Sequence, residues 1–426
     1  MEQRQYSQLQ ETLYYERMDN GLDVYVLPKP GFQKTYATFS TKYGSIDNHF
    51  KVEGLNAIQV PDGIAHFLEH KMFEEPEGDI FATFAQQGAS ANAFTTFDRT
   101  VYLFSSTARV EESLETLIDF VQRPYFTDEN VEKEKGIIAQ EINMYRDNPA
   151  WRSYFGLIEA MYQRHPVHID IAGTVESIGT ITKETLYTCY HTFYHPTNML
   201  LFVVGGVDEQ AIFELVRHNQ SQKQFEPQGQ IDRIFEAEPD AVQEARRVSK
   251  LPVSIPRCLF GCKEPRPGLE GRALLEYEIA TRVMMDLLLG SSSPLNQILY
   301  EEGLTTDSFG SEFNCSPDYA FSIMGGETKE PDRLVQRVQE LIEQAKQKGF
   351  EMASFERIRN KAIGSYLRML NSPEAIANEF TKFKFRDTDL FDIISVYESL
   401  KLEQVHQRLQ EHFDWNRLAV SIVEQP

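Results

Sequence analysis

The order of secondary-structure signals along the chain is given twice, and that repetition limits the fold more than any single segment does. In the first half, Thr12–Arg17 and Leu22–Leu27 alternate around Asp19-Asn20-Gly21, the pattern of a hairpin, and Thr35–Tyr43 alternates as a third strand. Helical patterns follow near Asp62–Phe73 and Asp79–Gln87, then strand-like Ala91–Thr96 and Thr100–Phe104. Helices are expected over Val110–Gln122, Asp128–Arg146, Trp151–Arg164 and Thr182–Tyr194. The last of them stops at His195-Pro196, because proline disfavours helix in the residue before it. The very apolar Met199–Val204 reads as a buried strand. A polar stretch without period, His218–Ala241, then separates this series from a second one. There Leu295–Gly303 stands where Ile80–Gly88 stood, and Asn416-Arg417-Leu418 where Asn198-Met199-Leu200 stood, displaced by 215 (295 − 80) and 218 (416 − 198) residues. The expectation is a tandem duplication of one α/β domain of about 210 residues. Its parts are a first domain over 1–220, a linker over 221–241 and a homologous domain over 242–426.

Composition narrows the class. With 426 residues, 41% hydrophobic and 25% charged, the chain is an ordinary globular sequence rather than a disordered or collagen-like one. No run approaches the roughly 18 apolar residues of a membrane span. The opening Met-Glu-Gln-Arg-Gln-Tyr lacks the apolar stretch of a secretory signal, and four cysteines are too few for a disulfide framework, so the cytoplasm is the expected compartment. Lys+Arg 42 against Asp+Glu 64 gives a net charge of −22, which repels phosphate backbones and argues against a nucleic-acid partner. Such a surface attracts basic peptides at low salt, although its main effect is to keep the chain in solution.

The sharpest chemical feature is His66-Phe67-Leu68-Glu69-His70. On a helix, residues four apart share a face, so both imidazoles can bind one metal, and zinc suits two neutral imidazoles plus a further ligand. Glu69 can project near a metal-bound water and take its proton. Phe67 and Leu68 face elsewhere and can anchor the helix in a core. A further ligand is offered by Glu134-Lys-Gly-Ile-Ile-Ala-Gln-Glu141, whose two glutamates are seven apart and share a helix face, with Ile137 and Ile138 free to pack inward. Taken alone, such acidic residues more often form a solvated helix face.

Together these residues resemble the pitrilysin/insulinase family of inverted zinc peptidases, whose signature is His-x-x-Glu-His followed by a distal glutamate. The resemblance continues through Ala91-Asn-Ala-Phe-Thr-Thr96 with Asp98, Thr100 and Tyr102, through His165-Pro166 and Gly173–Ile178, and through Tyr194–Met199. It implies one zinc ion held by His66, His70 and Glu141, with Glu69 as the catalytic base and Glu134 as a supporting catalytic carboxylate. Substrate would lie extended beside Ala91–Thr96, with Asn92, Ala93 and Phe94 in contact. The implied fold is two homologous domains, each a mostly antiparallel β-sheet packed with α-helices, forming half of a clamshell that favours short unfolded peptides or peptide precursors.

The second half resembles the family's non-catalytic repeat. At the 215 offset, His66–His70 correspond to Thr281-Arg282-Val283-Met284-Met285, which cannot hold zinc. Family members usually carry in that repeat an Arg–Tyr pair that polarises the scissile carbonyl; Leu299 and Thr306 stand in those places here. The expectation is therefore a zinc-bearing subunit of a heterodimer whose paralogous partner carries the Arg–Tyr pair, with a homodimer as the lesser choice. The rival reading is a non-catalytic scaffold or peptide-binding subunit. Other signals are expected to be structural: His191 and His195 lack an interposed glutamate, His165 and His168 flank Pro166 in a loop, Cys258 and Cys262 lack a second pair, and Gly290 ends a helix.

Overall fold

The computed structural model describes every residue except Glu77. The hairpin signalled around Asp19-Asn20-Gly21 forms with Tyr14 opposite Val26 and Arg17 opposite Asp23, and Gly21 takes the left-handed φ of 91° that the turn requires. These two strands enter a seven-stranded sheet whose order is Glu2–Tyr6, Glu11–Arg17, Asp23–Pro28, Met199–Gly205, Thr35–Thr41, Thr100–Ser106, Ala89–Thr95. Met199–Gly205 runs parallel to Asp23–Pro28 and antiparallel to Thr35–Thr41, and every one of its residues is buried, as its unbroken apolar run demands. Thr100–Ser106 bonds antiparallel to Thr35–Thr41 and to Ala89–Thr95, which leaves the latter as an edge. Phe380, on the helix Pro373–Lys384, stacks on Phe202 of the central strand at 4.2 Å between ring centroids.

A five-stranded sheet repeats this plan. Arg246–Lys250 is parallel to Leu418–Glu424, and the order continues antiparallel through Arg257–Cys262 and Ala320–Glu327 to the edge strand Gly310–Cys315. Order and direction match Asp23–Pro28, Met199–Gly205, Thr35–Thr41, Thr100–Ser106 and Ala89–Thr95 in turn. Register makes the equivalence specific: Met199 faces Thr41 in one sheet, and Leu418 faces Cys262 in the other. Two residues beyond those positions the interiors diverge. Tyr43 stacks on Phe193 at 4.0 Å in the first, whereas Glu264 accepts hydrogen bonds from Arg408 and His412 in the second. The two sheets thus share strand order and register while their interiors differ in chemistry.

The chain forms two compact units that are interleaved in sequence. One comprises Met1–Ile142, Ile169–Phe235 and Met369–Phe385; the other comprises Asn143–His168, Glu236–Arg368 and Arg386–Pro426. The helix Pro149–Met161 thus packs on Leu418–Glu424 and Arg257–Cys262 of the second unit, and Gly156 permits this because a Cβ there would stand 2.8 Å from the Ser421 hydroxyl. In return, Pro373–Lys384 covers Met199–Gly205 and Thr35–Thr41 of the first. The polar stretch His218–Ala241 holds the end of the helix Glu209–Ser221 and a short strand, Ile231–Arg233, paired with His49–Val52. Among the described residues, no helix is long and apolar enough to cross a membrane.

Candidate metal centre

The His66–His70 segment lies in the helix Ile64–Met72, whose start is set by two glycines. Gly63 has φ 85°, and a Cβ on it would lie 2.5 Å from the Ala172 carbonyl oxygen; Gly173, at φ 72°, is equally close to the Asp62 carbonyl. The Ser177 hydroxyl donates to that same Asp62 carbonyl at 2.9 Å, and Asn48 donates to the Asp62 carboxylate at 2.8 Å. Phe67 and Leu68 are wholly buried and anchor the helix as expected. That leaves the two imidazoles together on another face, with ring centroids 4.6 Å apart.

Glu134 and Glu141 come from the helix Asp128–Arg146, seated by buried Val131, Ile138 and Ile142. One expectation for this helix needs correction: Ile138 packs inward but Ile137 is 45% exposed. The two are a hundred degrees apart around the helix, so only one can share the inward stripe. Glu141 Oε2 lies 3.8 Å from His66 Nε2 and 3.5 Å from His70 Nε2, and one ligand atom from each residue falls within 4.8 Å of the others. Donors each about 2.1 Å from a tetrahedral zinc ion are about 3.4 Å apart, so the set fits that ion. It is the only such group among the described residues.

The two imidazoles differ in their protonation. Burial pushes His66 down to about 3, so it is a neutral imidazole at neutral pH. Its Nδ1 is buried without a hydrogen-bond partner, so packing alone orients that ring. At His70, burial works downward, but the hydrogen bond to Glu134 and the nearby carboxylates outweigh it and raise the ring's pKa. Nδ1 of His70 lies 3.1 Å from Glu134 Oε1; donation there leaves the Nε2 lone pair directed at the ligand position. Burial would raise Glu134, yet His70 and Lys71 hold it below the usual carboxylate range. Lys71 is wholly buried, paired with Glu74 and 3.8 Å from Glu134. The sequence reading passed over this lysine, although its place on the Ile64–Phe67–Leu68 stripe marks a buried charge that needs a carboxylate.

Glu69 is 8% exposed, and burial raises its pKa against the opposing hydrogen bond from Thr95. It borders a cavity of about 780 Å³ together with His70, Glu134, Ile137, Asn92 and Ala93. Phe73 and Phe81 stack at 4.5 Å along the same cavity, while Phe94 stands on the edge strand without bordering it.

The remaining signals are structural in form. His195 bonds to the Thr197 hydroxyl and the Glu226 carbonyl, and His191 lies against Tyr187 and Tyr190. His165 is buried between Tyr162 and Tyr319, and burial brings it down to about 4. All four cysteines are buried thiols, and Gly290 caps the helix Gly271–Leu289. Leu299, where the resemblance would place the Arg, is wholly buried, and Thr306, where it would place the Tyr, has its hydroxyl bonded to that of Ser308.

The chain is similar to known peptidases along most of its length. Residues 59–175 match the domain described as "Insulinase (Peptidase family M16)", and residues 180–362 match "Peptidase M16 inactive domain". The chain is 54% identical to the "Uncharacterized zinc protease YmfH" of Bacillus subtilis over 98% of its own length and 97% of that protein's. It is 24% identical to the "Zinc protease PqqE" of Helicobacter pylori, covering 90% of this chain and 89% of that one. A solved structure, a putative M16-like peptidase from Alicyclobacillus acidocaldarius, superposes with a TM-score of 0.95 at 42% identity, over 98% of this chain and 99% of that one.

Proposed function

Since this chain belongs to the insulinase family, peptidase family M16, we propose that it is a zinc metalloendopeptidase acting on short unfolded peptides or peptide precursors. The observation that carries the reading is the convergence of His66, His70 and Glu141 beside a buried glutamate, Glu69, at a groove flanked by a sheet edge. Zinc, when bound there, supplies a Lewis acid that polarises a peptide carbonyl and makes a water nucleophilic at neutral pH. Glu69 accepts the proton of that water and later passes it to the leaving amine, a task suited to a carboxyl whose pKa burial has raised. Glu134 orients His70, and Ala89–Thr95 is an edge strand beside which an extended peptide can align, once the Asn92 side chain releases the Ala93 N–H it accepts from at 2.9 Å.

Leu299 and Thr306 leave the oxyanion without an Arg–Tyr pair, which supports a heterodimer with a paralogous subunit carrying one; a homodimer is the lesser reading. Four thiols kept buried and unpaired suit a reducing compartment, the cytoplasm.

The test is cleavage of a mixed pool of unfolded peptides by the chain and by Glu69→Gln, read by mass spectrometry with zinc content measured in both. Cleavage by the wild type alone supports the reading. Equal cleavage by both forms sinks the mechanism, and silence from both, in zinc-replete protein with candidate paralogues added, favours a scaffold.

A further inference from the structure

Glu69 is held by a residue from a different element. The Thr95 hydroxyl donates to Glu69 Oε2 at 2.6 Å, and no other side-chain hydrogen bond to that carboxylate is present among the described residues. Thr95 is the last residue of the edge strand Ala89–Thr95, directly across from Thr100. The Thr100 hydroxyl lies 3.3 Å from that of Thr95 but commits its own proton to the Tyr43 carbonyl at 2.9 Å. A hydroxyl has one proton to give. The only donor left for Glu69 in this pair is therefore Thr95, whose place is set by the backbone pairing of its strand opposite Thr100.

From this geometry we propose that Thr95 is a positioning residue for Glu69: it pins Oε2, so that Oε1 is the oxygen turned to the reacting water. This inference rests on the peptidase reading given above. It also adds a link to that reading. Asn92 and Ala93, which border the groove, lie on the same strand two and three residues before Thr95. A peptide aligned on that strand loads the element that aims the base, so substrate docking and base orientation share one rigid part.

The experiment compares Thr95→Val, which keeps the shape and removes the hydroxyl, with Thr95→Ser, which keeps the hydroxyl. Thr95→Val is expected to lose about 10- to 100-fold in kcat with KM within about twofold, at unchanged zinc content and unfolding midpoint, and Thr95→Ser is expected to restore the rate. A second readout does not need turnover: the affinity of a peptide hydroxamate, whose hydroxyl proton needs a correctly aimed carboxylate, measured by calorimetry. It should weaken in Thr95→Val and recover in Thr95→Ser. If Thr95→Val does not fold, Thr95→Ala is read in the same way. A Thr95→Val enzyme as fast as wild type, or a loss that serine fails to rescue, overturns the assignment. Glu69→Gln separates the two failures. If it cleaves like wild type, the peptidase reading has failed; if it is inactive while Thr95→Val is fully active, only the role of Thr95 has.

Discussion

Replacing Glu134 by alanine tests how the second carboxylate acts on the metal centre. The change removes the acceptor 3.1 Å from His70 Nδ1 and one of the two carboxylates near the buried Lys71 ammonium. Without that acceptor, His70 is free to rotate and to take the other tautomer, which points a proton at the ligand position. Loss of such an outer partner typically lowers metal affinity about 10- to 100-fold, or about 1.4–2.7 kcal/mol. Lys71 keeps Glu74, so the fold should lose about 1–3 kcal/mol rather than the about 3–5 kcal/mol of a stranded buried charge. Glu134→Gln keeps an acceptor but not the charge and should fall between the two. Zinc affinity is measured by competition with a chromogenic chelator, and stability of the zinc-free proteins by urea unfolding. Wild-type zinc affinity in Glu134→Ala would refute the claim that this carboxylate orients His70.

Gly63→Ala forces a side chain into a left-handed backbone and against the Ala172 carbonyl, so it should cost at least about 2 kcal/mol in urea unfolding and reduce bound zinc. Glu264 offers a pH test: burial opposes its ionisation, but hydrogen bonds and charge from His412 and Arg408 prevail and lower its pKa below the ordinary 4.5. A lowered folded-state pKa contributes stability that is complete above the unfolded value and is lost as pH falls through the folded one. Glu264→Gln should therefore be less stable at neutral pH and show a flatter decline below pH 4.5 in urea midpoints than the wild type does. Ile137→Ser removes an exposed apolar side chain at the groove, so stability should change by less than about 0.5 kcal/mol while KM for apolar peptides rises.

Much of the fold was legible because its signals are local. The hairpin turn, the apolar run Met199–Gly205 and the long helix Asp128–Arg146 each announce themselves through period or turn chemistry. The strand Glu2–Tyr6 was not, because its residues are almost all exposed and polar and leave no alternation to read. Of the metal centre, the two histidines and Glu69 follow from helix spacing alone. Glu141 does not, since an acidic face on a long helix looks the same whether or not it meets two imidazoles; only resemblance singled it out. The ambiguity between Ile137 and Ile138 has the same root, because adjacent apolar residues cannot both be assigned without knowing where the neighbouring helix lies. Nor does linear order disclose which sheet a helix will cover, and the exchange of Pro149–Met161 and Pro373–Lys384 was invisible for that reason.

That exchange sets a timetable for synthesis. At about 5–20 residues per second, Pro149–Met161 leaves the ribosome roughly 13–50 s before the strand Leu418–Glu424 it packs against has been made. The sheet behind the metal centre likewise lacks part of its cover until residue 384 has been added. A nascent or truncated chain that already contains His66, Glu69, His70 and Glu141 therefore carries an unfinished scaffold around them. Completion of that scaffold waits for Met369–Phe385, a segment made more than two hundred residues after Glu141.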